Sequence, residues 1–215
     1  MIDHISSLSI EQKIGQLFFI GIPAPELDVS MRALLDEISP GGICLFARNI
    51  KDASQTRDLL DAIRAVLPVE PFLSIDQEGG LVDRLRRVVT PMPAASKIKT
   101  ATDAAGLASI IAKTLSLLGF NMNFAPVVDV ADSRRGEHSN GLYSRTFGSS
   151  KEETAELSQA FLEALQTGGI VGCLKHFPGL GASSVDSHEE LPSVNISETE
   201  LTENDIYPYR ALLKG

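Results

Sequence analysis

GIVGCLKHFPGLGASSVDSHEELP, residues 169–192, is the stretch on which the reading of the chain turns. Gly169 to Leu174 is a short apolar run, read as a buried strand. Pro178, Gly179 and Gly181 then form a turn cluster that cannot prolong it. Lys175, His176, Asp186, His188, Glu189 and Glu190 follow within the same loop. A strand that opens into a glycine-rich loop dense in ionisable groups has the layout of an active-site loop on a rigid scaffold.

Working outward, the same layout recurs. Gln16 to Ile22, Ile43 to Phe46, Phe72 to Asp76 and Asn121 to Val128 are four earlier apolar runs, read as strands. Apolar residues at helical spacing lie between them: Leu27 to Ile38, Ser54 to Leu67, Asp103 to Leu118 and Lys151 to Gln166. Ser9 with Gln12, and Ser197 with Glu200, have the capping-box spacing of helix starts. Ser197 to Leu213 is read as one or two helices, with Pro208 as an interruption. Gln77 to Arg87 is read as irregular, and Ser133 to Ser150 as a long loop that Asp129 and Asp132 help to order. The pattern is β-α five times over, with continuous apolar strands that suit a parallel sheet. Polar groups follow four of the five strands: Arg48-Asn49, Asp76 onward, Asp129 onward and Lys175 onward. That favours a (β/α)8 barrel, whose active sites are built from the loops after the strands, over an open doubly wound sheet. The expectation is an α/β fold, a single domain over residues 1–215 that supplies about the first five units of a TIM barrel.

Composition bounds the function. The chain has 215 residues, 43% hydrophobic and 22% charged, with a formal net charge of −9. Such a balance argues against nucleic acid and anionic membrane as partners. Arg84, Arg86 and Arg87 beside Asp83 make only a weak basic patch. No secretory signal is read at the N-terminus, and no apolar run approaches the ~18 residues that span a bilayer. Cys44 and Cys173 sit in apolar runs and are read as reduced, buried thiols, which implies a cytoplasmic location. His4 and His138 are read as solvated.

Five segments together resemble the N-terminal barrel domain of glycoside hydrolase family 3, and most closely its single-domain bacterial β-N-acetylhexosaminidase branch. They are KIGQLF (residues 13–18), GGICLFARN (41–49), IDQEGG (75–80), NFAPVVDV (123–130) and KHFPGLGASSVDSH (175–188). The resemblance covers nearly the whole chain. It implies a retaining hydrolase that removes N-acetylglucosamine from peptidoglycan-derived or chitin-type saccharides, with no cofactor and no metal. It implies His188 as general acid/base with Asp186 as its partner, and Asp76, Arg84, Arg145, Lys175 and His176 as substrate-binding residues. The family's nucleophile, an aspartate after a later strand, is expected beyond residue 215. Two positions depart from the family pattern: Leu81 stands where arginine is usual after EGG, and Leu180 where histidine is usual in PGHG. The second is expected to alter the closed position of the loop.

Chemistry is compatible with those roles. Histidine titrates near ~6.5, which suits an acid that protonates a leaving oxygen and later acts as a base. Asp186 and His188 are two residues apart, so their side chains meet only where the loop bends. A carboxylate there would orient the imidazole and stabilise its charged form. Two other readings are open: a sugar-binding or structural protein without catalysis, which would self-associate or need a missing segment, and a β-N-acetylglucosaminide phosphorylase. A phosphate loop is disfavoured, because GLGASS lacks the Gly-Lys-Ser/Thr ending. A zinc site from His176, Asp186 and His188 fits no standard spacing. Lys175 and His176 as a plain ion pair with Asp186 or Glu189 is the bland alternative.

Overall fold

The five apolar runs form one parallel sheet whose neighbouring strands follow one another in chain order. The computed structural model describes residues 6–132, 135 and 141–213, so His4, His138 and much of the 133–150 loop lie outside the described residues. In chain order the main elements are α1 (Ile10–Gly15), β1 (Phe19–Gly21), α2 (Val29–Ile38), β2 (Gly42–Leu45), α3 (Ala53–Val66) and β3 (Phe72–Ile75). They continue with β4 (Gln77–Gly79), β5 (Val82–Asp83), α4 (Ala101–Leu118), β6 (Met122–Asn123), α5 (Lys151–Thr167), β7 (Val171–Gly172), α6 (Glu198–Glu200) and α7 (Tyr207–Leu212). The five-stranded parallel sheet with helices between its strands is the α/β barrel-type architecture expected.

Local chemistry starts and stops the helices. Asp28, Asp52, Thr100 and Ser150 each accept a backbone N–H from the first turn of α2, α3, α4 and α5. At α1 the full capping box forms: Gln12 N–H donates to Ser9 Oγ at 3.2 Å, and Ser9 N–H to Gln12 Oε1 at 3.0 Å. The second box is half made. Ser197 Oγ takes the Glu200 N–H, but the Glu200 carboxylate is drawn away to Arg135 at 3.0 Å.

One core lies between the sheet and the helices. Leu73 and Ile75 of β3 point into it together with Ile43 and Leu45 of β2, Leu59, Leu60 and Ile63 of α3, and Ile111 and Leu115 of α4. Residues of alternate parity face the other way. There the Phe19 and Phe72 rings stack at 6.0 Å, each 44% exposed, which departs from strands buried on both faces.

Several strands are shorter than their apolar runs suggest. Helix α1 extends to Gly15 and is capped by Gln16, so β1 begins only at Phe19. In the 121–128 run Pro126 has no N–H for the ladder, and β6 ends at Asn123. The neighbouring chains still run together: Cys173 N–H donates to Ala125 O at 2.9 Å, and Val128 N–H to Lys175 O at 2.8 Å. Gln77 to Arg87, expected to be irregular, begins with the antiparallel hairpin β4-β5. Pro208 does not break the last helix but stands in its first turn, where its missing N–H is harmless. Cys44 and Cys173 are free and only half-buried. Helix α4 is long and apolar enough to cross a membrane, contrary to the expectation from sequence. Its residues Ala104, Leu107, Ala108, Ile111, Ala112, Leu115 and Leu118 are buried in the core, which accounts for that composition.

Phe161 of α5 is 1% exposed, and its ring lies 5.7 Å from that of Phe147. Phe161→Ala is expected to lower unfolding stability by about 3–5 kcal/mol, read as a fall in the urea midpoint at unchanged slope.

Candidate active site

The ends of β3, β6 and β7 converge on one cleft of about 270 Å³. That is close to the ~300 Å³ lower end of small-molecule sites. All seven residues singled out from sequence line it: Asp76, Arg84, Arg145, Lys175, His176, Asp186 and His188. Phe124, Val82, Cys173 and Leu180 supply its apolar surface, and Glu78 its second carboxylate.

Glu78 is the residue that sequence reasoning missed within this cleft. It stands in β4, the hairpin strand that was read as irregular, and is 5% exposed. Arg145 grips it with two bonds, Nε to Oε2 at 2.9 Å and Nη2 to Oε1 at 3.0 Å. Lys175 Nζ lies 2.6 Å from the same Oε1 and donates to Asp76 Oδ1 at 2.6 Å. Burial works against the Arg145 charge, but the hydrogen bonds and charge of Glu78 outweigh it and hold the guanidinium above its usual value. The sequence did contain a signal: IDQEGG puts Asp76 and Glu78 two apart, on one side of an extended segment.

His176 is the next link. Its Nε2 lies 3.3 Å from Arg145 Nη2, and its Nδ1 lies 2.6 Å from Asp129 Oδ2. A guanidinium has only donors, so this contact is a hydrogen bond only where Nε2 accepts. Asp129 was expected to order the 133–150 loop. Much of that loop lies outside the described residues; among the described ones Asp129 binds the loop after β7, accepting the Leu180 N–H at 2.6 Å. That bond uses the backbone of residue 180, so leucine in place of the usual histidine leaves the anchor intact.

Two glycines let this loop pass through a narrow space. A Cβ on Gly181 would overlap the carbonyl oxygen of Val130, and a Cβ on Gly179 (φ 140°) would meet Asp205 Cβ at 2.5 Å. Asp205 is itself held by a buried ion pair with Arg135, with Nη1 to Oδ1 at 2.6 Å. Phe177 packs edge-on against Tyr209 of α7, with ring centroids 5.3 Å apart.

The Asp186–His188 pair does form. The chain turns so that Asp186 Oδ1 accepts both the His188 N–H at 2.9 Å and Nδ1–H at 2.7 Å. The His188 side chain is 80% exposed, at the mouth of the cleft, and its Nε2 meets no partner among the described residues. Hydrogen bonds from the His188 backbone, then from its ring, hold the Asp186 carboxyl below its usual value. Neither Lys175 nor His176 pairs with Asp186 or Glu189, so the plain-ion-pair reading with those partners is wrong. Arg48-Asn49 belongs to no site: buried Asn49 braces the loop after β1 by donating to Ile22 O and Ala24 O. Asp83 is likewise consumed internally, by Gln77 and the Met92 N–H. Among the described residues no group of three or more His, Cys, Asp and Glu could hold a metal. Arg84 Nε is buried and meets no partner among them. Burial keeps the Cys173 thiol protonated by raising it above its usual value.

The profile of the glycosyl hydrolase family 3 N-terminal domain matches residues 9–215. The chain belongs to glycosyl hydrolase family 3. A β-hexosaminidase of Pseudomonas aeruginosa is 36% identical over 185 residues, which is 84% of this chain and 54% of that protein. A family 3 β-N-acetylglucosaminidase from Paenibacillus superposes with a TM-score of 0.89 at 33% identity, over 97% of this chain and 41% of its own. The NagZ structure from Neisseria gonorrhoeae gives a TM-score of 0.84 at 31% identity, over 92% and 59%. The family 3 chain described here thus spans about half the length of the curated relatives it matches.

Two outcomes follow from the charges. Glu78→Gln leaves Arg145 and Lys175 facing each other with less compensation, and a loss of about 3 kcal/mol in unfolding stability is expected. The Asp186 carboxyl is depressed in the folded chain, so its turn is stabilised above the ordinary carboxylate range. That support is lost as pH falls through the depressed value. Acid titration followed by NMR is expected to move the His188 amide together with the Asp186 carboxyl, below pH ~3.9.

Proposed function

We propose that this chain forms the sugar-binding and acid/base half of a retaining β-N-acetylhexosaminidase. The observation that carries the reading is the donor inventory of the cleft. Lys175 Nζ gives two of its three protons to Asp76 and Glu78, and Arg145 uses Nε and Nη2 on Glu78 and His176. Among the described residues one ammonium proton, Arg145 Nη1 and the Arg84 guanidinium meet no acceptor and are left to donate, while Asp76 Oδ2 meets no donor and is left to accept. Several donors, one free carboxylate oxygen and an apolar wall suit a neutral ligand with many hydroxyls.

His188 then serves as acid/base. Asp186 takes its Nδ1–H and stabilises the imidazolium, so Nε2–H can protonate the glycosidic oxygen as the bond breaks. In the second step neutral Nε2 takes a proton from the attacking water. Retention requires a nucleophile on the opposite sugar face. Asp76, Glu78, Asp129 and Asp186 are each paired with a lysine, arginine or histidine. This supports a nucleophilic aspartate drawn from a segment after residue 215. Relatives named β-hexosaminidase and β-N-acetylglucosaminidase, and a Neisseria gonorrhoeae NagZ complexed with N-trifluoroacetyl-D-glucosamine, support N-acetylglucosamine as the sugar. On this reading the saccharide comes from cell-wall turnover, in the cytoplasm.

The test has two stages. The 215-residue chain is expected to bind N-acetylglucosamine by calorimetry, and Lys175→Ala to abolish that binding. The chain extended through its downstream segment is expected to cleave a chromogenic N-acetyl-β-glucosaminide with retention, and His188→Ala to lower kcat by about 10²–10⁴. Absence of both binding and turnover, or turnover that requires inorganic phosphate, would overturn the hydrolase reading.

A further inference from the structure

Asp129 is 1% exposed, and neither its burial nor its partners follow from its place after β6. Three N–H donors converge on its carboxylate: His176 N–H at 3.2 Å and His176 Nδ1 at 2.6 Å on Oδ2, and Leu180 N–H at 2.6 Å on Oδ1. We propose that Asp129 is a positioning residue that holds His176 in its Nδ1–H tautomer and ties the ring to the loop carrying Leu180. The chemical argument is one of acceptor counting. A carboxylate offers acceptors at both ends, and each end has a donor facing it. An amide of the same shape must turn its NH2 either toward the Leu180 N–H or toward the His176 backbone N–H.

The tautomer matters because of what lies on the other side of the ring. Arg145 Nη2 is 3.3 Å from His176 Nε2 and can only donate. With the proton on Nδ1, Nε2 accepts from Arg145 and the row of bonds from Asp129 to Glu78 is complete. With the proton on Nε2, two donors face each other inside the cleft and the row is broken. Asp129 therefore sets the direction of the bonds that aim Arg145, although it does not line the cleft itself. The tautomer claim stands on this geometry alone, and only its effect on ligand affinity rests on the sugar-binding reading.

Nitrogen-15 NMR of the ring in the 215-residue chain tests it. Wild-type His176 is expected to show a protonated Nδ1 and a bare Nε2 at neutral pH. Asp129→Asn, whose NH2 must face one of these donors, is expected either to move the proton toward Nε2 or to lose the Leu180 N–H anchor, and in both cases to weaken N-acetylglucosamine binding about tenfold, the cost of one buried donor left unpaired. A wild-type ring protonated on Nε2 overturns the proposal without any variant, so a failure of Asp129→Asn to fold does not shield it. An Asp129→Asn chain that folds and keeps both tautomer and affinity overturns it too. A wild-type chain with the Nδ1–H tautomer that binds no N-acetylglucosamine leaves the positioning role standing and sinks the sugar reading instead.

Discussion

Two cations share one buried carboxylate, and the cleft depends on that sharing. Arg145 and Lys175 come from segments far apart in the chain, and each would repel the other if Glu78 were absent. A buried ion group of this kind is held by geometry and by completeness, not by gross Coulomb attraction, since desolvation offsets much of the attraction. Completeness is what the site has. Asp76, Lys175, Glu78, Arg145, His176 and Asp129 form one unbroken row of donors and acceptors. Removing any member leaves a charge or a polar atom unpaired in a poorly solvated place.

Behind that row stands a mechanical support. Gly179 and Gly181 let the loop lie against Asp205 and Val130 with no room for a side chain, and Phe177 leans on Tyr209. Asp205 lies in a wide π-type turn, Leu201–Asp205, between α6 and α7, and Arg135 fixes it from the opposite side. Thus the chain after the active-site loop returns to brace it. His188, farther along the same loop, is oriented among the described residues by the turn at Asp186 and remains exposed. Under the proposed roles, a fixed row beside a more exposed histidine fits a site in which a sugar enters before the acid is brought to its oxygen.

Much of this was legible in the residues, for physical reasons that differ by element. The helices were plain because their apolar stripes and caps are local. The short strands at residues 42–45 and 72–75 were plain because their apolar runs are continuous and, apart from Phe72, largely buried. The 121–128 run misled, since periodicity carries no information about where Pro126 breaks the ladder. The hairpin at residues 77–83 was missed because charged residues and glycines there look like a loop, whereas its side chains are satisfied across the turn. The seven candidate residues came from a resemblance spread over five segments, and one cleft gathers them all. Glu78 and the partners of Asp129 escaped because those partners come from later loops, and spacing along the chain does not state who pairs with whom.

Those long reaches have a kinetic meaning. The links of the row join residues 31, 47, 67 and 99 positions apart in sequence. Contacts of such separation close large loops and form only when the strands between them are already in register. No link of the row can assemble on a single hairpin or helix. Occupancy of the cleft by a ligand therefore reports on the alignment of three strands at once. A ligand that binds there would also stabilise the whole sheet by mass action and not only the loops it touches.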